Sequence, residues 1–152
     1  MSLAIDTNVL VHAFREDAPR HALAKRVLES LLGAGRSLAL PLPCLYEFLR
    51  IVTHANIFIT PTPLGLALDA LDRLLDAEGV WLLAPTQRHP QLLREVLIAG
   101  NATGNLVHDA HIAALMREHG VTDILTEDRD FHRFPGVRVV HLEELKAGGR
   151  GA

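Results

Sequence analysis

Short apolar runs alternate with amphipathic stretches along almost the whole chain. Each run is a few residues long, which is typical of a buried strand, and the stretches between runs repeat apolar residues at the spacing of a helix face. Strands that alternate with helices predict a parallel sheet covered by helices on both sides. The pattern therefore predicts a three-layer α/β/α sandwich around a central, mostly parallel five-stranded sheet. The predicted strands are 3–5, 37–40, 80–83, 123–126 and 137–140.

The predicted helices have local signals at their ends. Thr7 or Asn8 can cap the helix that follows the first strand. Thr62 can cap a later helix, because Pro63 then falls at the first helical position. Glycines after several apolar periods are typical helix ends. The predicted helices are 9–14, 20–33, 45–52, 64–78, 87–99 and 106–119.

Length and composition exclude several classes of protein. The chain of 152 residues fits one domain, expected over 1–146, and residues 147–152 are expected to form a disordered tail. A net charge of −3 provides no global basic field for nucleic acid. Cys44 is the single cysteine, which excludes an internal disulfide and a cysteine-rich zinc site and agrees with a cytoplasmic location. Neither a signal peptide nor a membrane-spanning run is evident.

Two aspartates come directly after predicted strands. Asp6 follows the first strand, and Asp128 lies two residues after the fourth. The carboxyl ends of parallel strands share one edge of a sheet, and ligands bind there in open α/β sheets. Asp6 can equally be a helix N-cap, so its position alone leaves both interpretations open.

Three further acids accompany this pair. Glu47 lies about 200° around the helical wheel from Leu45, and it therefore points away from the apolar stripe of its helix. An exposed, solvated glutamate explains Glu47 as well as a functional one does. Asp109 falls in the first turn of its helix, where the helix dipole favours an acid. Asp130 follows Asp128 closely.

Together these acids predict a metal site. Two like charges about 5 Å apart repel by roughly 3 kcal/mol at an effective dielectric near 20. A convergent cluster therefore needs a cation or protonation of some members. Oxygen ligands favour a hard ion, Mg²⁺ or Mn²⁺, over zinc. Such ions can support phosphodiester hydrolysis.

Four short motifs contain these acids: Asp6-Thr7-Asn8, Tyr46-Glu47-Phe48, His108-Asp109-Ala110-His111-Ile112-Ala113 and Thr126-Glu127-Asp128-Arg129-Asp130-Phe131. They resemble the motifs of PIN-domain ribonucleases, and within them the VapC toxins of type II (VapBC) toxin–antitoxin systems. The resemblance covers residues 3 to about 145. It implies a metal-dependent endoribonuclease that hydrolyses RNA, binds Mg²⁺ or Mn²⁺, and pairs with a small cognate antitoxin. A homodimer is also expected.

The resemblance assigns roles to individual residues. Asp6 and Asp109 are expected to be direct metal ligands. Glu47 and Asp128 are expected to complete the coordination or to orient the attacking water, and Asp130 is an additional acid. The four catalytic acids are thus Asp6, Glu47, Asp109 and Asp128, with Asn8 and Thr126 as hydrogen-bonding support.

Arg50 and Arg129 lie beside the acidic motifs. Either can contact the RNA backbone or form a structural salt bridge. The apolar surfaces of the amino-terminal helices and of residues 64–75 can receive the antitoxin or a second copy of the chain.

Other enzyme classes fit the sequence less well. A haloacid-dehalogenase site needs a second aspartate where Asn8 stands, and a receiver domain needs a suitably placed lysine. An HD phosphohydrolase is all-helical. His108 and His111 could form a zinc-binding pair, but solvated or capping histidines are the commoner explanation for such residues. The alternative from another class is a catalytically inactive PIN-like module that binds RNA or a partner. The complete set of acids favours catalysis over that alternative.

Overall fold

A computed structural model describes residues 1–146 of the chain and shows a five-stranded sheet in the order β3-β2-β1-β4-β5. Every neighbouring pair of strands is parallel. The predicted α/β/α sandwich is therefore confirmed. The expected tail, 147–152, lies outside the described residues. The strands are β1 (Leu3–Ile5), β2 (Leu38–Pro41), β3 (Val80–Leu83), β4 (Asp123–Leu125) and β5 (Arg138–Val140).

Helices cover both faces of the sheet. Alternate side chains of the central strand enter different cores: Leu3 and Ile5 join one cluster and Ala4 the other. The first cluster packs against α1–α4 and α7, and the second packs against α5 and α6. The helices are α1 (Thr7–Phe14), α2 (His21–Gly33), α3 (Leu42–Val52), α4 (Leu64–Leu75), α5 (His89–Ala99), α6 (Leu106–Glu118) and α7 (Leu142–Leu145).

The strand order places one crevice in the sheet. From β1 the chain first moves outward through β2 and β3, and it later returns to the opposite side of β1 as β4 and β5. The junction between β1 and β4 is thus the topological switch point, where ligands bind in open α/β sheets. Both Asp6 and Asp128 follow strands that flank this junction.

Two predicted helix caps were wrong. Asp6, the alternative that the sequence analysis left open, is the N-cap of α1 instead of Thr7 or Asn8, and its carboxylate accepts a hydrogen bond from the Thr7 amide. Thr62 makes no cap for α4, whose N-cap is Pro63. The Thr62 hydroxyl instead accepts a hydrogen bond from Arg15, a contact between distant segments that local sequence does not reveal.

Two short elements were absent from the sequence prediction. A 3-10 helix, Arg129–Arg133, follows the acidic segment after β4, and α7 closes the described part of the chain. Each is too short to show helical periodicity. No helix between residues 1 and 146 combines the length and the apolar character that crossing a membrane requires.

Candidate metal centre

Three aspartates meet at the carboxyl edge of the sheet. One oxygen from each of Asp109, Asp128 and Asp130 lies within 4.8 Å of the others. Asp109 comes from the first turn of α6, whereas Asp128 and Asp130 lie on the segment after β4. Among residues 1–146 this is the one group of three acidic, histidine or cysteine side chains with so close a set of donor atoms.

The loop that carries Asp128 and Asp130 is ordered by its own backbone. Asp128 is the N-cap of the 3-10 helix, and its Oδ1 accepts a hydrogen bond of 2.8 Å from the Asp130 amide. Phe131 is fully buried in the same turn and anchors it to the core. The cap and the anchor together hold two exposed or half-exposed carboxylates beside Asp109.

Asp6 is buried at the bottom of the crevice, with 6% of its surface exposed. Its Oδ1 accepts from the Thr7 amide at 2.8 Å, and its Oδ2 accepts from Asn8 Nδ2 at 3.0 Å and from the Thr126 hydroxyl at 2.6 Å. The buried Cys44 thiol lies 3.7 Å from Oδ1. These contacts fix the orientation of the carboxylate.

Thr126 joins the two strands of the crevice. Its fully buried hydroxyl donates to Asp6 and accepts from the Asp128 amide at 3.0 Å and from Asn8 Nδ2 at 3.2 Å. Asn8 Oδ1 in turn accepts from the Glu127 amide at 3.2 Å. One threonine and one asparagine thus set the position of Asp6 relative to Asp128.

Glu47 lies at the rim of the cluster. Its side chain is about one quarter exposed, and Oε2 accepts from the Thr7 hydroxyl at 3.2 Å. His108 Nε2 lies 2.6 Å from the same oxygen, an ion-pair contact when the imidazole is protonated. Glu47 therefore turns toward the crevice and is not a purely solvated residue.

The electrostatics of the site reflect the convergence of these acids. Burial, together with the nearby charges of Asp128 and Asp6, raises the pKa of Asp109 to about 7. Burial also raises the pKa of Asp6; the Thr126 hydrogen bond opposes this, while Asp128 and Glu47 reinforce it. Desolvation and neighbouring negative charges therefore both raise the pKa values of the two aspartates.

This donor set fits a divalent cation. The three clustered groups offer carboxylate oxygens, which suit hard ions such as Mg²⁺ and Mn²⁺. Burial and the neighbouring carboxylates both raise the pKa of Asp109, an effect that a bound cation would oppose. Asp109, Asp128 and Asp130 are best placed to hold the ion, and Asp6 and Glu47 lie next to them.

The structure adds residues that the sequence analysis did not assign. Thr7 supports both Asp6 and Glu47, and Cys44 packs against Asp6. His108 contacts Glu47, whereas the His111 ring packs on His89 with 4.8 Å between ring centroids. The two histidines therefore make separate contacts. These partners lie on α1, α3, α5 and α6, so that only the tertiary packing brings them together.

The family model described as PIN domain matches residues 3–137. Ribonuclease VapC43 of Mycobacterium tuberculosis is 39% identical over 139 residues, which cover 91% of this chain and 94% of that protein. Ribonuclease VapC48 of the same species is 34% identical, with 91% and 96% covered. The chain therefore belongs to the PIN-domain family and, within it, to the VapC ribonucleases.

Solved structures show the same fold at lower sequence identity. VapBC2 from Rickettsia felis, bound to a DNA fragment from its promoter, gives a TM-score of 0.66 at 18% identity and covers 93% of this chain and 98% of its own. The sarcin–ricin loop cleaving toxin VapC20 of Mycobacterium tuberculosis gives a TM-score of 0.62 at 21% identity, with 90% and 98% covered. Both similarities concern the fold.

Proposed function

We propose that this protein is the toxin of a toxin–antitoxin pair and acts as an endoribonuclease that requires Mg²⁺ or Mn²⁺. The family of VapC ribonucleases supports the reaction class. The observation that carries the proposal is the convergence of Asp109, Asp128 and Asp130 within 4.8 Å, beside the buried Asp6. The presence of all the predicted acids, three of them within 4.8 Å of one another, favours catalysis over a binding module without activity.

The cation site would consist of carboxylates from three elements. Asp109, Asp128 and Asp130 would hold the ion, and Asp6, at the end of β1, would complete the ligand set. When bound, a divalent cation would supply positive charge that offsets the negative charge developing on the phosphate oxygens. Because burial and neighbouring carboxylates raise the pKa of Asp109 to about 7, an ion would compete with a proton for this carboxylate near neutral pH.

The chain's own residues orient the reactants. Thr126 and Asn8 hold the Asp6 carboxylate in one orientation by hydrogen bonds to Oδ2. Glu47, fixed by Thr7 at the rim, orients the attacking water. In the hydrolysis, the water oxygen bonds to phosphorus, the bond from phosphorus to one ester oxygen breaks, and that oxygen receives a proton.

The helices α1–α4 form a surface that suits binding of the proposed antitoxin. An apolar groove of about 240 Å³ lies between α1, α2, α3 and α4, lined by Phe14, Leu28, Phe48 and Leu74 among others. An amphipathic helix of a small antitoxin fits a groove of this character. The exposed leucines Leu64, Leu66 and Leu68 on α4 are the proposed surface for a homodimer.

Replacement of single acids tests the proposed reaction. Asp6→Asn and Asp109→Asn keep the side-chain shape but remove the charge that binds the ion, so we expect cleavage of RNA in Mg²⁺ to be lost while the circular dichroism spectrum stays native. Asp69→Asn, at an exposed position on α4, is the matched control and should cleave like wild type. Wild-type turnover by Asp109→Asn would contradict the assignment.

A further inference from the structure

A second, open groove borders the acidic cluster at Glu47. It has a volume of about 370 Å³ and is lined by Pro43, Tyr46, Glu47, Arg50 and His108. Four of these residues lie on α3 at positions i, i+3, i+4 and i+7, which places them along one face of the helix. The groove thus leads directly away from a residue of the proposed active site.

Tyr46 is a large aromatic residue on the exposed side of α3. The residue is 64% exposed, and among residues 1–146 it is the one exposed phenylalanine, tryptophan or tyrosine. The phenol makes no hydrogen bond within the part of the chain that the structure describes. An aromatic face that is open to solvent beside a nuclease site offers a planar apolar surface at low cost in conformational entropy.

Arg50 provides positive charge one turn further along α3. Its side chain is 61% exposed, and its Nη2 lies 3.7 Å from Glu47 Oε1, a loose and solvated ion pair. Such a pair contributes little to stability. The guanidinium therefore retains donors for another anion, in a region whose remaining charged groups are mostly acidic.

We propose that Tyr46 and Arg50 position the substrate: the Tyr46 ring stacks on an unpaired RNA base next to the scissile phosphate, and Arg50 binds a neighbouring phosphate. This inference rests on the proposed function. Aromatic stacking combined with basic side chains is how proteins hold single-stranded nucleic acid. A base inside a duplex is already stacked on both faces and cannot reach Tyr46 without being extruded. The groove thus selects unpaired nucleotides.

Binding measured without cleavage tests the stacking. The probe is a short single-stranded RNA that contains 2-aminopurine, titrated in EDTA so that cation-dependent cleavage is absent. Tyr46→Ala should weaken binding about tenfold or more, because stacking on one aromatic ring contributes roughly 1–3 kcal/mol per base. Tyr46→Phe should bind like wild type. Ile98→Ala, at a 69% exposed site on α5, is the control for loss of exposed apolar surface.

The charge of Arg50 has its own readout. Arg50→Gln should lower the slope of log affinity against log salt by about 1, since one phosphate contact is removed. Arg94→Gln, an exposed site on α5, should leave the slope unchanged. In Mg²⁺, Tyr46→Ala should raise KM for single-stranded RNA more than it lowers kcat, and melting temperatures should not change.

The outcomes separate this inference from the proposed function. Loss of binding in Tyr46→Ala with retention of binding in Tyr46→Phe supports base stacking on Tyr46. Equal binding by wild type and Tyr46→Ala overturns it, even if wild type cleaves RNA normally. Equal affinity for the same sequence as a duplex also overturns it. If wild type binds RNA through Tyr46 but cleaves no RNA in Mg²⁺, the proposed catalysis is overturned and base stacking on Tyr46 is still supported.

Discussion

The Thr126 hydroxyl connects two parts of the chain that are far apart in sequence. It donates to Asp6 and accepts from the Asp128 amide, and it is fully buried. A buried hydroxyl with three partners stabilises the fold and also fixes the distance between the segments that carry the acids. Removal of this one group should therefore affect stability and catalysis together.

Thr126→Val tests that double role. The substitution keeps the shape of the side chain but leaves buried polar groups unpaired, at a cost of about 1–3 kcal/mol. We expect a melting temperature lower by roughly 2–4 °C per kcal/mol and cleavage lower by about 10- to 100-fold. Thr122→Val, at an exposed site where the hydroxyl donates to Asp123, is the matched control. Full activity in Thr126→Val would show that the network does not orient the acids.

Asp109 should make the metal-free protein less stable as pH rises. Its pKa in the folded state is about 7, above the ordinary value of 3.8, so the folded chain binds the proton more tightly than the unfolded chain. Stability from this group is full below about pH 4 and is lost as pH rises through about 7.

Melting curves in EDTA across that range check the sign. Above pH 7 we expect Asp109→Asn to melt at a higher temperature than wild type. The free energy of unfolding should be higher by roughly 1 kcal/mol after allowance for solvent screening, and the difference should vanish toward pH 4. Asp69→Asn should follow wild type throughout. A wild type that gains stability relative to Asp109→Asn as pH rises would contradict the raised pKa.

Residue-level prediction worked where a local rule applied. The positions of Asp6 and Asp128 after strands followed from the apolar runs, and the structure places both beside the switch point. The position of Glu47 in the site was harder to predict, because the helical wheel shows only that its side chain points away from the apolar stripe of its helix. Its partners Thr7 and His108 come from other helices. Thr62 was assigned a local cap but contacts Arg15, which only the tertiary fold brings near.

At the scale of elements, the five strands and the six longer helices were predicted, and the errors lie in short pieces. The 3-10 helix Arg129–Arg133 depends on the Asp128 cap and on burial of Phe131, neither of which produces a periodic pattern. This element nevertheless carries Asp130 to the cluster. The sequence also could not give the strand order, which depends on how the helices pack across the sheet.

The groove between α1, α2, α3 and α4 supports a prediction about the antitoxin. Ala70→Glu places a charged side chain in this apolar groove, so we expect the cognate antitoxin to lose affinity while RNA cleavage stays near wild type. Ala22→Glu, exposed on α2, is the matched control. Co-purification of the two proteins and growth of cells that express both provide the readout. Normal neutralisation of Ala70→Glu would place the antitoxin elsewhere.

The whole molecule combines two apolar cores with one polar edge. The cores hold the central strands from both sides, so that the ends of β1 and β4 form a fixed base for Asp6 and Thr126. The acids gathered there repel one another, and this repulsion adds to the effect of burial in raising the pKa of Asp109. Such a local conflict within a well-packed domain is expected at a functional site. The fold therefore brings together the acids that the proposed function assigns to a cation site.

The most direct test of this account is RNA cleavage by the purified protein under control of divalent cations. A structured RNA is incubated with wild type in EDTA, and Mg²⁺, Mn²⁺ or Zn²⁺ is then added in excess. We expect no cleavage in EDTA and recovery with Mg²⁺ or Mn²⁺, because the clustered ligands are carboxylate oxygens. Asp109→Asn, tested in parallel, should stay inactive with every ion. Undiminished cleavage in EDTA, or recovery with Zn²⁺ alone, would contradict the account.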